Sequence, residues 1–194
     1  MCNSMGINSR IVKPTIEAQD WQRDNCYGCG PANQHSLKAH FLFDETSGEV
    51  RFRHKMQGFE HGAPGYVHGG ALATILDEAQ GALCHHIGHS IMTEQLTIKY
   101  NKAVPIDAEF DVRCWVTTVR KRRMYTRATI TSLEKEILVF SSASWYLLSE
   151  RIAARLFKNT MTIEESEFIK EQLEVNRKRA KEIRKRIRIE RDRH

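Results

Sequence analysis

The sequence predicts an α+β fold in which a curved antiparallel sheet wraps around one long central helix, followed by a helical extension at the C-terminus. One apolar helical segment begins near residue 67, and strand-like segments lie on both sides of it. A helix that is apolar over most of its surface needs burial on most sides, and a curved sheet supplies that burial. After residue 149 the chain becomes basic and helical in pattern, which predicts the extension.

Alternating apolar residues and turn residues delimit the elements in order. Leu37–Asp44 and Glu49–Lys55 are predicted to form a hairpin around the turn Thr46-Ser47-Gly48. The helix is expected from Val67 to about Ile87, because Gly88 stands where a helix stop belongs. Four further strands are expected at Ile91–Tyr100, Glu109–Val119, Met124–Ser132 and Glu136–Leu148.

Composition divides the chain into an N-terminal arm at 1–25, a domain at 26–149 and a basic extension at 150–194. The extension is predicted to be a long helix because six residues follow a 4-3-4-3-4 spacing. Two of them, Asn176 and Ala180, interrupt the apolar seam and argue against a self-standing coiled coil. The six are Ile169, Leu173, Asn176, Ala180, Ile183 and Ile187.

The positive charge of the chain is concentrated at its end. Residues 177–194 hold ten Lys and Arg against three acids, a charge of +7, whereas the residues before them hold 20 against 21, a charge of −1. Such a tail predicts an anionic partner, either a nucleic acid or a membrane surface. Aromatic residues are absent from 169–194, which argues against base stacking. A solvated helix face explains the same charges, and both interpretations stay open.

The composition, 41% hydrophobic and 28% charged, is that of a globular domain. No run of 18 apolar residues and no signal-like N-terminus is present, so we expect no membrane span and a cytoplasmic setting. The five cysteines are an odd number without paired spacing, which favours a reducing compartment. Cys26 and Cys29 form one Cys-x-x-Cys pair, and a zinc ribbon would require a second pair.

The segment His68-Gly69-Gly70 opens the helix, and Asp77 lies on its third turn. Backbone N–H groups of a first helical turn stabilise a developing oxyanion, and a carboxylate activates water, so the pattern predicts acyl transfer. Gly69 and Asp77 are separated by about 12 Å along the helix, at about 1.5 Å per residue. One helix therefore cannot bring both groups to one carbonyl, but two antiparallel copies can. The sequence predicts a two-fold dimer with shared sites.

This pattern resembles the hotdog-fold acyl-CoA thioesterases of the phenylacetate-pathway and thioesterase-superfamily-member types. The resemblance covers roughly residues 26–148. It implies hydrolysis of acyl-CoA to free acid and CoA by a homodimer or a dimer of dimers, with no metal and no redox cofactor. It also implies that the Cys-x-x-Cys pair is a turn feature. The matching motifs are His68-Gly69-Gly70 with Asp77, Cys26-Tyr27-Gly28-Cys29-Gly30 with Asn33 and Leu37, Met92-Thr93, Tyr100-Asn101-Lys102-Ala103-Val104-Pro105 and Arg122-Arg123.

The resemblance and the helix geometry together assign roles at the reacting carbonyl. Asp77 is expected to act as general base or as nucleophile, two roles that the sequence does not separate. Glu78 points about 100° away from it and is expected at the surface or as a helper. The Gly69 N–H is the expected oxyanion donor, and Gly70 allows close packing of the turn. His68 is open to three roles: polarising the thioester, orienting the loop or capping the helix.

Four further residues complete the expected site. Thr93 matches a position whose hydroxyl orients the attacking water, although strand filling by a β-branched residue explains it as well. Lys102, Arg122 and Arg123 suit the phosphates of coenzyme A. A non-catalytic acyl-CoA sensor that acts through the basic tail is the rival function, and the intact pair of Asp77 and Thr93 argues against it. The acyl chain length is not readable from the sequence.

Overall fold

A single antiparallel sheet organises the part of the chain that the structure describes. The structure is a computed structural model, and it describes the backbone of residues 11–12 and 25–191 and the side chains of residues 25–186. The elements are β1 Ile11–Val12, β2 Leu42–Asp44, β3 Glu49–Lys55, α1 Gly69–His86, β4 Ile91–Tyr100, β5 Glu109–Arg120, β6 Arg123–Thr131, β7 Ile137–Leu147, α2 Glu150–Phe157 and α3 Ile163–Arg191.

The strand order is β1-β2-β3-β5-β6-β7-β4, and each neighbouring pair is antiparallel. This confirms the expected α+β architecture of one sheet with a long helix. A seventh strand, β1, pairs with β2 and lies within the segment that was expected to be only an arm. The strand β4 lies at one edge of the sheet, where β7 is its neighbour.

The first strand of the hairpin is shorter than predicted. It begins at Leu42 and not at Leu37. The reason is a competing partner: the backbone N–H groups of Leu37 and Ala39 donate to the carbonyls of Tyr27 and Gly28 at 2.9 and 3.1 Å. Residues 37–41 therefore hold the Cys-x-x-Cys turn in place before the chain enters the sheet.

The central helix α1 is the core of the fold. Its apolar residues are shielded from solvent, with exposed fractions of 0 to 3% for Leu72, Ile75, Leu76, Ala79 and Leu83. The helix begins at Gly69 after the cap His68 and ends at His86, one residue before the predicted end. Gly88 follows with a φ of +84°, a conformation that favours glycine and directs the chain into β4.

The C-terminal extension is two helices and not one. The hydroxyl of Ser149 caps the short α2, and α3 packs its seam against the domain. Leu173, Asn176, Ala180 and Ile183 are all buried in that contact. Asn176, which interrupts the apolar pattern, donates from Nδ2 to the carbonyl of His85 at 3.0 Å and so docks α3 on the end of α1. None of the described helices is long and apolar enough to cross a bilayer.

Several basic residues of α3 hold this helix on the domain. Arg177 donates to the carbonyl of Gly88 at 3.2 Å, and Arg186 donates to the carbonyl of Glu45 at 3.0 Å. Arg179 lies between the carbonyl of His86 at 3.2 Å and the carboxylate of Glu45 at 3.6 Å. Cations near a helix C-terminus are favoured by its dipole. Part of the basic charge therefore has a structural explanation.

Candidate active site

Asp77 and Thr93 meet at the side of α1 that faces β4. Thr93 Oγ1 donates a hydrogen bond to Asp77 Oδ1 at 3.2 Å. The β4–β7 register shifts between Thr93 and Gln95, so the strand is irregular at this point. Burial raises the pKa of the Asp77 carboxyl, and the hydrogen bond from Thr93 lowers it in part. The result is a carboxylate of increased basicity whose orientation is fixed by a hydroxyl.

The turn that opens α1 is built around the backbone of two glycines. His68 caps the helix, because its Nδ1 accepts a hydrogen bond from the Gly70 N–H at 2.9 Å. The hydroxyl of Tyr100 donates to the Gly69 carbonyl at 2.8 Å. A side chain on Gly70 would approach His68 Nδ1 to 3.0 Å, so the Gly70 backbone lies close to the His68 ring.

The Gly69 N–H differs from that of Gly70. Among the described residues, no acceptor bonds to it, and Gly69 itself is partly exposed. Of the three roles considered for His68, the structure thus shows the cap, and it leaves the Gly69 N–H as the available donor of this turn. Gly69 is the first residue of α1 and Asp77 the ninth, so the separation of about 12 Å expected along the helix applies.

Glu78, for which a surface position or a helper role was expected, packs against a neighbouring turn. It lies partly buried under the Cys26–Gly30 turn, and Cys26 Sγ is 3.4 Å from its Oε1. A side chain on Gly28 would come within 2.1 Å of Glu78 Cγ, so only glycine allows this approach. Burial first, and the neighbouring Cys26 second, raise the pKa of Glu78 to about 7. The sequence feature that marks this contact is Gly28 between two cysteines. Its partner, Glu78, lies 50 residues further along the chain, so the contact could not be read from the local pattern.

The three cations expected to bind phosphate are not equally placed. Lys102 pairs with Glu136, and Arg123 makes a forked contact with Glu94 at 2.7 to 2.9 Å. Arg122 donates to the hydroxyl of Tyr146 at 3.3 Å and has no carboxylate partner among the described side chains. A phosphate would have to compete with a carboxylate at Lys102 and at Arg123, but not at Arg122.

A groove of about 490 Å³ beside Lys102 is a poor candidate for the phosphates. Its wall includes three carboxylates, those of Glu109, Glu134 and Glu136. Its lining does not include Asp77 or Thr93. The groove therefore lies apart from the carboxylate and hydroxyl pair, and its charge repels an anion.

Comparison with known proteins finds a family match over the segment that carries Gly69, Asp77 and Thr93. Residues 64–138 match the family model described as the thioesterase superfamily. Mouse acyl-coenzyme A thioesterase THEM4 is 31% identical over 86 residues, 44% of this chain and 37% of that protein. The rat protein of the same name is 35% identical over 77 residues, 40% of this chain and 33% of that protein. The match spans about a third of the length of these relatives.

Solved structures share the fold. A thioesterase superfamily protein superposes with a TM-score of 0.59 at 24% identity and covers 62% of each chain. A hypothetical thioesterase from Streptococcus pneumoniae, solved with coenzyme A, gives 0.51 at 21% identity and covers 53% of this chain and 80% of that one. At such identities the likeness establishes the fold. Residues 64–138, which carry the Gly69 turn, Asp77 and Thr93, thus match the thioesterase superfamily model, and the chain has the hotdog fold of these solved structures.

Proposed function

We propose that this chain hydrolyses acyl-CoA thioesters to a free acid and CoA. The observation that carries the proposal is the hydrogen bond from Thr93 to Asp77, a partly buried carboxylate whose pKa is raised. A base works best when its pKa approaches the working pH, and burial moves Asp77 in that direction. The named relatives are acyl-CoA thioesterases, which agrees with this assignment.

The reaction follows from the placement of these groups. Thr93 holds Asp77, which takes a proton from a water molecule as that water attacks the thioester carbonyl. The oxyanion forms beside the Gly69 N–H of a second protomer. The tetrahedral intermediate then expels CoA as a thiolate, which recovers the proton. The proposed reaction requires no metal and no redox cofactor.

A nucleophilic role for Asp77 is the alternative course of the same reaction. Asp77 would attack the carbonyl and form a mixed anhydride, which water then hydrolyses. A single turnover in oxygen-18 water separates the two roles. Label found in the Asp77 carboxylate after digestion and mass spectrometry supports an anhydride that water opens at the Asp77 carbonyl. Label only in the product acid, with no acyl-Asp77 adduct trapped by hydroxylamine, supports the general base.

The shared site requires a dimer, and β4 offers the surface for it. This strand is the edge of the sheet, and Met92 and Tyr100 on it are 49% and 50% exposed. We propose that two β4 strands pair across a two-fold axis and bring the α1 helices antiparallel. A dimer or a dimer of dimers in sedimentation equilibrium supports this, and a monomer at assay concentration contradicts it.

We propose that Arg122 binds the phosphates of coenzyme A. Lys102 and Arg123 bind them as well once the carboxylates of Glu136 and Glu94 are displaced. Gly70 contributes by allowing the turn to approach the substrate. Arg122→Ala should raise KM for acyl-CoA and leave kcat nearly unchanged, because the phosphates are remote from the thioester. An unchanged KM would remove Arg122 from the phosphate site.

The test of the function is thiol release from a panel of acyl-CoAs by the wild type and Asp77→Asn. Asp107→Asn is the matched control, because Asp107 is exposed and, among the described side chains, forms an ion pair with Lys55 alone, at 3.7 Å. Turnover that is lost in Asp77→Asn and kept in Asp107→Asn supports the thioesterase. Saturable acyl-CoA binding without turnover on any chain length would instead favour the sensor.

The basic end of α3 has a separate proposed role as contact for an anionic partner, a nucleic acid or a membrane surface. Lys181 and Lys185 are exposed, and neither is among the arginines whose hydrogen bonds hold α3 on the domain. Salt-dependent binding to RNA or to anionic vesicles, weakened by Lys181→Glu with Lys185→Glu, supports this role. Binding that is unaffected by the two changes contradicts it. The cytoplasmic setting remains a prediction from the cysteine pattern.

A further inference from the structure

The Cys26–Gly30 turn and helix α1 bring three metal-binding side chains to one point. Cys26, Cys29 and Glu78 place one sulfur or oxygen atom each within 4.8 Å of one another. Two of these residues come from one turn, and the third comes from a helix 49 residues beyond Cys29. The cluster is separate from the Asp77 and Thr93 pair, and the proposed hydrolysis does not use it.

We propose that Cys26, Cys29 and Glu78 bind a zinc-type divalent cation that fastens the Cys26–Gly30 turn to helix α1. Two sulfurs and a carboxylate oxygen are ligands that zinc accepts, and thiolates disfavour magnesium and calcium. Three protein ligands leave the fourth tetrahedral position for water. The role is structural, and it replaces the earlier expectation that the cysteine pair is only a turn feature.

The separation between Cys26 Sγ and Glu78 Oε1 fits a tetrahedral ion. With Zn–S of about 2.3 Å and Zn–O of about 2.0 Å, a tetrahedral angle places sulfur and oxygen about 3.5 Å apart. Cys26 Sγ and Glu78 Oε1 are 3.4 Å apart. This separation therefore already suits an ion bound between the turn and α1.

The charge balance of the cluster also points to a cation. Glu78 is partly buried, and within the described residues no Lys, Arg or His lies at ion-pair distance from it. A buried carboxylate without a cation is costly unless it is neutralised. Neither cysteine forms a disulfide with another described residue.

The turn is shaped to hold the three groups together. The Gly30 N–H donates to the Cys26 carbonyl at 2.9 Å, which closes the turn and places both cysteines on one side. Gly28 is buried directly against Glu78 Cγ and Cδ, where a Cβ would come within 2.1 and 2.4 Å. The backbone hydrogen bonds from Leu37 and Ala39 fix the turn from its other side. The ligand set is thus preorganised on two rigid elements.

The test uses cobalt as a spectroscopic probe and zinc for stoichiometry. The full chain is stripped with EDTA under reducing conditions and titrated with Co²⁺, which gives a sulfur-to-metal charge-transfer band when thiolates bind it. Zinc retained after desalting is then measured by mass spectrometry. We expect a single equivalent of zinc and the charge-transfer band in the wild type. Cys26→Ser and Cys29→Ser should lose the band, and Glu78→Gln should weaken zinc binding by roughly tenfold or more.

Matched controls separate this site from unspecific thiol binding. Cys84→Ser removes one thiol and Glu167→Gln removes one exposed carboxylate, and neither residue belongs to the cluster. Both should bind zinc as the wild type does. The proposal is overturned if the wild type gives no charge-transfer band, or if the cluster variants and the controls bind alike. A Cys26–Cys29 disulfide that forms readily in the presence of zinc would also overturn it.

The assay contains no acyl-CoA, so its outcome is independent of thioester hydrolysis. If a cysteine variant fails to fold, the wild-type spectrum and Glu78→Gln still decide the question. Glutamine keeps the size of the side chain and removes its charge, and circular dichroism verifies the fold of each variant.

Discussion

The Thr93 hydroxyl lies 3.2 Å from Asp77 Oδ1, and this hydrogen bond joins the edge strand β4 to the central helix α1. The bond couples the orientation of the carboxylate to a strand at the edge of the sheet. It also stabilises the ionised form of Asp77 against the effect of burial. The hydrogen bond therefore affects both the geometry and the pH dependence of the proposed reaction.

The first prediction concerns the acidic limb of the pH profile. Burial raises the pKa of Asp77 above the usual value of about 3.9, and catalysis requires the ionised form. Activity should therefore fall as pH drops through that raised pKa. Thr93→Val removes the hydrogen bond that lowers the pKa, so the limb should move to higher pH and kcat/KM should fall about 10- to 100-fold. Thr97→Val on the same strand is the control, and an unmoved limb in Thr93→Val would contradict the assignment.

The second prediction tests the Gly69 N–H without removing the turn. Proline is accepted at the first residue of a helix and has no N–H, and His68 already has the extended backbone that precedes a proline. Gly69→Pro should lower kcat by about 100-fold, whereas Gly69→Ala, which keeps the N–H, should lower it much less. Equal losses in the two variants would show that contact with Tyr100, and not the donor, is responsible.

The third prediction tests whether sites are shared between protomers. Asp77→Asn and Gly69→Pro should each keep no more than about a hundredth of the wild-type activity alone. Mixed under conditions that exchange subunits, they should recover about a quarter of the wild-type activity, because half of the dimers are hybrids with one intact site. Activity that does not recover, despite hybrids seen by native mass spectrometry, would place both groups in one protomer.

The fourth prediction concerns the contact between α1 and α3. A Cβ at Gly88 would lie 2.5 Å from the Arg177 backbone nitrogen, and Gly88 has a φ of +84°. Gly88→Ala should destabilise the protein by about 2 kcal/mol and expose α3 to trypsin. Gly65→Ala is the matched control, because it has the same φ of +84° and nothing within 4 Å. Gly65→Ala should lower the free energy of unfolding by about 1 kcal/mol. Equal losses in the two variants would mean that the close approach to Arg177 is unimportant.

The fifth prediction concerns stability at low pH. Burial raises the pKa of Glu49, but the guanidinium groups of Arg113 and Arg51, each 2.7 Å away, outweigh it and hold the pKa below its usual value. Such a group stabilises the fold above its unfolded pKa of about 4.3 and loses that contribution as pH falls through the folded value. Glu49→Gln should lower the free energy of unfolding by about 2 kcal/mol at pH 7. Below about pH 4 the stability of this variant should decline less steeply with pH than that of the wild type. The exposed Glu109→Gln should match the wild type in urea unfolding.

The local elements were largely readable from the sequence. The predicted bounds of β3 and β4 match the structure, and α1 differs by two residues at its start and one at its end. Alternating and helical patterns of apolar residues indicate which side of a segment is buried. These patterns can be read from neighbouring residues alone. The start of β2 was wrong because residues 37 and 39 bond to the Cys-x-x-Cys turn, a partner that no local pattern encodes.

The sequence by itself determined the central helix, its glycine turn, the position of Asp77 on its third turn and the sheet around it. Only the tertiary structure decided that Glu78 lies under Gly28, that Asn176 docks α3 on His85 and that Lys102 and Arg123 are paired. Periodicity specifies which face of an element is buried. The contacts between distant side chains depend instead on strand register and on how the elements pack, and these are properties of the whole fold.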